Sequence, residues 1–252
     1  MISKSAFDQN TQSVSAWITL PEPFLANLLA MEAFDLIAVD MQHAMIDRLA
    51  ATRLIQGVIQ SGKPSAVRIP INDFALASFL LDAGASAIIA PMINSAADVE
   101  RLVSATKYPS LGARSWGPQR ALSLHGMSPA SYLDNANGAT TALAMIETRT
   151  AMQNIDEILA VEGLDGVFIG PADLSLALTD GKACDPAHPL VEAALADICR
   201  RARGAGKQVW GYAHTPERAR ALFAHGAHVA ALSSDANMMR EGARTMLEAC
   251  RK

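Results

Sequence analysis

Short apolar runs recur along the chain. Each is followed by a segment whose apolar residues fall three and four positions apart. The first pattern is that of a strand buried on both faces, the second that of a helix with one apolar side. The runs predict strands over 14–20, 36–39, 65–69, 87–90, 141–146, 166–169, 208–213 and 228–232. The segments between them predict helices over 24–33, 47–59, 72–82, 96–105, 150–159, 189–205, 216–224 and 237–250. Asp47, Asn72 or Asp73, and Ser234 or Asp235 are candidate N-caps, while Gly62, Gly84 and Gly206 stand where helices stop. The rhythm fails once. Residues 108–128, rich in Gly, Pro, Ser and Arg, read as a long loop after the fourth strand, with a short helix over 130–136 beyond it. Loops of that length inside a compact domain are usually functional or disordered.

Strands alternating with helices require a parallel sheet. An open doubly wound sheet usually has a glycine-rich turn after its first strand, and none is present here. The 252 residues suit one closed (β/α)8 TIM barrel, so residues 1–252 are expected to form a single domain. Composition agrees: half the residues are hydrophobic but only 5% are aromatic, as when aliphatic helices cover buried strands.

Net charge is −4 and no basic cluster stands out, which argues against a nucleic-acid partner. No apolar run approaches the ~20 residues of a membrane helix. Residues 1–8 lack the apolar core of a signal peptide. Cys184, Cys199 and Cys250 match no zinc spacing, and so few cysteines suit reduced thiols. A cytoplasmic location is expected.

In barrels of this kind functional residues gather at the C-terminal ends of the strands. That rule selects Trp17, Asp40, His43, Arg68, Glu147 and Asp173. Glu147 and Asp173 end successive strands of one βαβ unit and so leave the sheet at the same edge. Two oxygen ligands on one open face suit a hard divalent cation, Mg2+ or Mn2+ ahead of Co2+ or Zn2+. Each residue also has a plainer reading. Asp173 fits a helix N-cap, Arg68 an ion pair with one of the two acids, His43 a solvated loop position, and Trp17 a plug in the barrel mouth.

Taken together, the set fits enolisation of a 2-keto acid. A metal polarises the keto group, Arg68 stabilises the enolate, and a base such as His43, with its ordinary pKa of ~6.5, moves the proton. The segment Gly170-Pro171-Ala172-Asp173 opens a helix whose N–H groups can receive the substrate carboxylate. No lysine ends a strand near these residues, which speaks against a Schiff-base aldolase.

At these residues the chain resembles the class II, divalent-metal pyruvate aldolases of the 4-hydroxy-2-oxoheptanedioate aldolase family, relatives of the citrate lyase β-subunits. The resemblance spans nearly the whole chain. It rests on Val39-Asp-Met-Gln-His43, Val67-Arg-Ile-Pro70, Leu81-Asp-Ala-Gly84, Ala90-Pro-Met92, Tyr108-Pro-Ser-Leu-Gly-Ala-Arg114, Ile146-Glu-Thr148 and Phe168-Ile-Gly-Pro-Ala-Asp-Leu-Ser175. It implies Glu147 and Asp173 as metal ligands, His43 as base and Arg68 as stabiliser of the transition state. Trp17, Met145, Gly170, Pro171, Ala172 and Asp173 would meet the substrates, a 2-keto acid such as pyruvate or hydroxypyruvate and an aldehyde. Asp82 matches an aspartate that raises the basicity of the histidine. It lies at the far end of its own helix, so the resemblance implies that it serves a neighbouring subunit. The family's hexamers, trimers of dimers that exchange their last helix, are compatible with that arrangement.

Two positions depart from the family pattern: Gln42 stands where Glu is common, and Met145 where Gln is common. Both bear on substrate preference. Competing readings are a lyase acting on a coenzyme A thioester and a non-catalytic barrel that binds small acids. Oxaloacetate decarboxylation, which uses the same enolate, is an expected side activity.

Overall fold

The computed structural model describes residues 11–251. The stretch 1–8, read above for a signal peptide, lies outside them. The chain runs β1 (Ser13–Ile18), α1 (Pro23–Met31), β2 (Leu36–Asp40), α2 (Arg48–Gln60), β3 (Ser65–Arg68), α3 (Phe74–Asp82), β4 (Ala87–Ala90) and α4 (Ala96–Thr106). After α4 come α5 (Gln119–His125), α6 (Pro129–Ala139), β5 (Thr141–Ile146), α7 (Arg149–Gln153), α8 (Ile155–Ala160), β6 (Gly166–Ile169) and α9 (Pro171–Leu178). The last elements are α10 (Pro189–Gly204), β7 (Gln208–Ala213), α11 (Pro216–Ala224), β8 (Val229–Ser234) and α12 (Asp235–Cys250). The strands pair in sequence order, all parallel, and β8 closes on β1.

Every residue of β2 through β6 is buried, which is why these strands read as unbroken apolar runs. Alternate residues serve two cores. Leu36, Ala38, Met145, Phe168 and Trp210 belong to one cluster, the barrel filling. Their neighbours Ile37, Val39, Ile146 and Val167 pack with residues of the surrounding helices.

The structure corrects several expected boundaries. The first strand ends at Ile18 because the next two N–H groups, of Thr19 and Leu20, donate to the Asp235 carboxylate instead of a strand. The eighth strand runs past Leu232 through a bulge. Leu232 pairs with Ala16 and Ser234 with Trp17, while the extra residue, Ser233, takes φ 51°. The expected loop 108–128 holds helix α5, closed by Gly126 at φ 62°. The single helix expected over 150–159 breaks at Asn154 into α7 and α8. Of the alternative caps, Asp73 accepts from Leu76 and Ser234 from Asn237.

Helix α12 is amphipathic, yet every residue from Met239 to Cys250 is exposed. Its Met239, Met246 and Leu247 face no core, and on α1 Phe24, Leu28 and Met31 are likewise uncovered. No helix among the described residues is long and apolar enough to cross a membrane.

At the N-terminal end of the barrel Lys107 is 1% exposed. Its ammonium bonds the carbonyls of Asn137 (2.8 Å) and Thr140 (2.5 Å) and pairs with Asp165 at 2.7 Å. Lys107→Met keeps the apolar stem but strands the carboxylate and both carbonyls. Its unfolding free energy from urea titration should fall by about 2–4 kcal/mol. A change below about 1 kcal/mol would contradict the role given to this lysine.

Candidate active site

At the C-terminal mouth of the barrel lies a cavity of about 260 Å³. Trp17, His43, Arg68, Met145, Gly170, Pro171, Ala172 and Asp173, all expected from the sequence, line it.

Asp40, the last residue of β2, is the keystone on one side. In the sheet register it stands directly beside Arg68, the last residue of β3. The two form a buried fork: Nε donates to Oδ1 at 2.9 Å and Nη2 to Oδ2 at 2.6 Å. The guanidinium also lies 5.0 Å from the centroid of the Trp17 ring. Thus Arg68 does have a structural ion pair, but with Asp40 rather than with Glu147 or Asp173. Its Nη1 makes no hydrogen bond to a described residue. The same carboxylate accepts the N–H groups of Gln42 and His43, folding the turn that presents the His43 ring. Burial pushes the Asp40 carboxyl up, but the hydrogen bond and charge of Arg68, with the two N–H groups, outweigh it and hold it below its ordinary value.

Glu147, immediately past β5, is 1% exposed. Its Oε1 accepts the N–H of Met92 at 2.7 Å, and Met92 takes the left-handed conformation, φ 56°, after β4. Its Oε2 is buried and has no partner. Burial first, then repulsion from Asp173, drives its carboxyl up to about 7 against the pull of Met92 and Arg68. Asp173 is the third residue of α9 and exposed, and Gly170 holds the N-cap position. The N-cap reading of Asp173 is therefore set aside.

A buried carboxylate oxygen without a donor, within the electrostatic reach of a second carboxylate, is matched by a bound cation. Glu147 and Asp173 are the residues that fit one. No group of three or more His, Cys, Asp and Glu side chains lies together among the described residues, so remaining ligands would come from water and substrate. Gly170 makes room: a Cβ there would stand 2.5 Å from Oε2 of Glu147 and 2.5 Å from Cε of Met145.

Asp82 is not brought to this cavity. It ends α3, pairs with the buried Arg114 at 2.6 Å, and borders a separate surface depression with Arg48, Phe79 and Arg120. Gln42 is half-buried and its Oε1 has no partner.

The strand-end list missed Thr19, Phe168, Tyr212, His214 and Ser234, which also line the cavity. Applying the same rule to β7 and β8 finds Tyr212, His214 and Ser234. Phe168, Trp17, Tyr212 and His214 form a continuous aromatic chain, with successive centroids 5.7, 5.4 and 4.8 Å apart.

A closed parallel barrel with a clamped guanidinium, an imidazole and two carboxylates at its C-terminal mouth has the make-up of an enzyme acting on a small oxyacid. Comparison with known proteins narrows this class. The HpcH/HpaI aldolase/citrate lyase family model matches residues 13–242, and the chain belongs to that family. It is 37% identical to a hydroxypyruvate/pyruvate aldolase of Rhizorhabdus wittichii, over 97% of this chain and 96% of that one. It is 33% identical to a 4-hydroxy-2-oxo-heptane-1,7-dioate aldolase of Klebsiella pneumoniae, over 96% of this chain and 91% of the relative. The crystal structure of an HpcH/HpaI aldolase from Desulfitobacterium hafniense superposes with a TM-score of 0.90 at 26% identity, covering 99% of this chain and 96% of that one.

Gly170→Ala tests the space kept for the cation. Its φ of −96° suits alanine, so the strain falls on the ends of Glu147 and Met145, which the added methyl would displace. Mn2+ affinity measured by calorimetry should fall about 10–100-fold. Unchanged affinity would contradict the assignment.

Proposed function

We propose that this chain is a divalent-metal aldolase, forming and cleaving 4-hydroxy-2-oxo acids through the enolate of pyruvate or hydroxypyruvate and an aldehyde. The observation that carries this reading is the donor-less Oε2 of Glu147, within electrostatic reach of both Asp173 and the clamped Arg68. Membership of an aldolase family supports it.

Glu147 and Asp173 would hold the cation, Mg2+ or Mn2+ by the preference of two carboxylates for hard ions. When bound, it supplies Lewis-acid polarisation of the keto group and neutralises the acid's charge. The chain's own residues do the rest. The N–H groups of Ala172 and Asp173, at the positive end of α9, receive the substrate carboxylate. Arg68, fixed by Asp40 and Trp17, donates from Nη1 to the oxygen on which negative charge builds. His43 takes the proton from the carbon next to the keto group. Once the new carbon–carbon bond has formed, a proton is returned to the aldehyde oxygen. In cleavage the same steps run in reverse. Met145 and Phe168 exclude water from this end.

We further propose one domain acting as a cytoplasmic homo-oligomer, a trimer of dimers exchanging α12. The uncovered apolar faces of α12 and α1 support exchange, and three free cysteines suit a reducing compartment. In such an assembly Asp82, with Arg114 behind it, would complete a neighbour's His43.

Two experiments test this. Retro-aldol turnover should vanish with EDTA, return with Mn2+, and fall at least about 10³-fold in Glu147→Ala, the loss expected when a group that stabilises transition-state charge is removed. Substantial turnover in that variant would overturn the metal assignment. His43→Asn and Asp82→Asn should each be nearly inactive but regain activity when dissociated and reassembled together. Failure of well-assembled mixtures to recover would show that Asp82 does not act across an interface.

A further inference from the structure

An aldol reaction needs a second substrate, and the roles above use only part of the cavity. The β7–β8–β1 side is formed by Thr19, Tyr212, His214 and Ser234. Two of these have taken protein partners through their hydroxyls: Thr19 donates to Asp235 at 2.6 Å, and Ser234 accepts the N–H of Asn237 at 3.2 Å. The other two have not. Neither the Tyr212 phenol nor the His214 imidazole hydrogen-bonds to a described residue, although their rings pack edge to face at 4.8 Å. Both are uncharged near neutrality. Burial pushes the phenol up to about 12, and burial with the nearby Arg218 holds the imidazole below its ordinary value. Arg218 is itself paired with Glu192. Among the described residues Arg68 is the single Lys or Arg lining the cavity, and it is paired with Asp40.

This wall therefore offers hydrogen bonds without a fixed charge, in a cavity of about 260 Å³ that must also hold the keto acid. An alkyl group placed here would desolvate the imidazole and the phenol and leave both unpaired. A hydroxyl would satisfy them. A carboxylated acceptor would meet no cation on this wall. We propose that His214, supported by Tyr212, determines the acceptor: it selects short aldehydes hydroxylated next to the carbonyl over alkyl aldehydes of equal size and over carboxylated ones. The assignment deepens the aldolase reading and rests on it.

The test compares glycolaldehyde with propanal, which match in size, using pyruvate as donor. The wild type should favour glycolaldehyde in kcat/KM. His214→Leu, at an exposed position that tolerates change, should cut that preference about tenfold, mainly through the KM for glycolaldehyde. His214→Gln, which keeps a donor and an acceptor, should retain most of it. An unchanged ratio in His214→Leu, or a wild type that favours propanal, would overturn the assignment. Equal losses in both variants would trace the effect to packing on Tyr212 and overturn the hydrogen-bonding role. A separate assay, metal-dependent exchange of the pyruvate methyl protons in D2O without aldehyde, isolates the donor step. No exchange in the wild type would overturn the donor chemistry and this assignment with it. Exchange together with an unchanged ratio would overturn the acceptor assignment alone.

Discussion

A carboxylate with one oxygen satisfied and the other deprived of a donor is what the mouth of this barrel is arranged around. Glu147 follows an entirely apolar strand, and the interior offers it only the Met92 N–H. The side chain is 1% exposed, and the repulsion of Asp173 adds to the cost of burial against the weaker pull of Arg68. A buried anion so placed is destabilising unless something positive completes it. The surrounding chain preserves that condition: Gly170 leaves space where any side chain would intrude, and Met92 keeps an uncommon backbone conformation that aims its N–H at Oε1. The protein forgoes a better local interaction here, as functional sites often do.

The other half of the mouth follows the opposite principle. Arg68 is forked to Asp40 through Nε and Nη2 and lies over Trp17, so its guanidinium is held in place with Nη1 left over. Asp40 also folds the turn that carries His43, so one carboxylate sets both the guanidinium and the imidazole. A carboxylate oxygen left without a donor and a guanidinium held rigid are thus the two features on which the proposed keto-acid site rests.

Much of this was legible in the sequence, for a physical reason. Strands buried on both faces have little choice but to be mainly apolar, so a polar residue at the end of one stands out: Asp40 on β2, Arg68 on β3, and Glu147 just past β5. What the sequence did not reveal depends on register and on irregularities. That Arg68 pairs with Asp40 follows from their standing side by side on adjacent strands, which periodicity cannot specify. The bulge at Ser233, which carries Ser234 to the cavity, needs one residue in a left-handed conformation that no glycine marked. Helix α5 was hidden because Gly, Pro and Ser before it dominate the local signal. His214 was missed for a simpler reason: the strand-end rule, carried through to β7, finds it.

Crystals soaked with Mn2+ and pyruvate, measured at the manganese absorption edge, test the central claim most directly. The account predicts one anomalous peak at the cavity mouth, with Oε2 of Glu147 and the Asp173 carboxylate among its ligands and pyruvate completing them. A protein active in solution whose ion sits elsewhere, or whose Glu147 remains clear of it, would contradict the account.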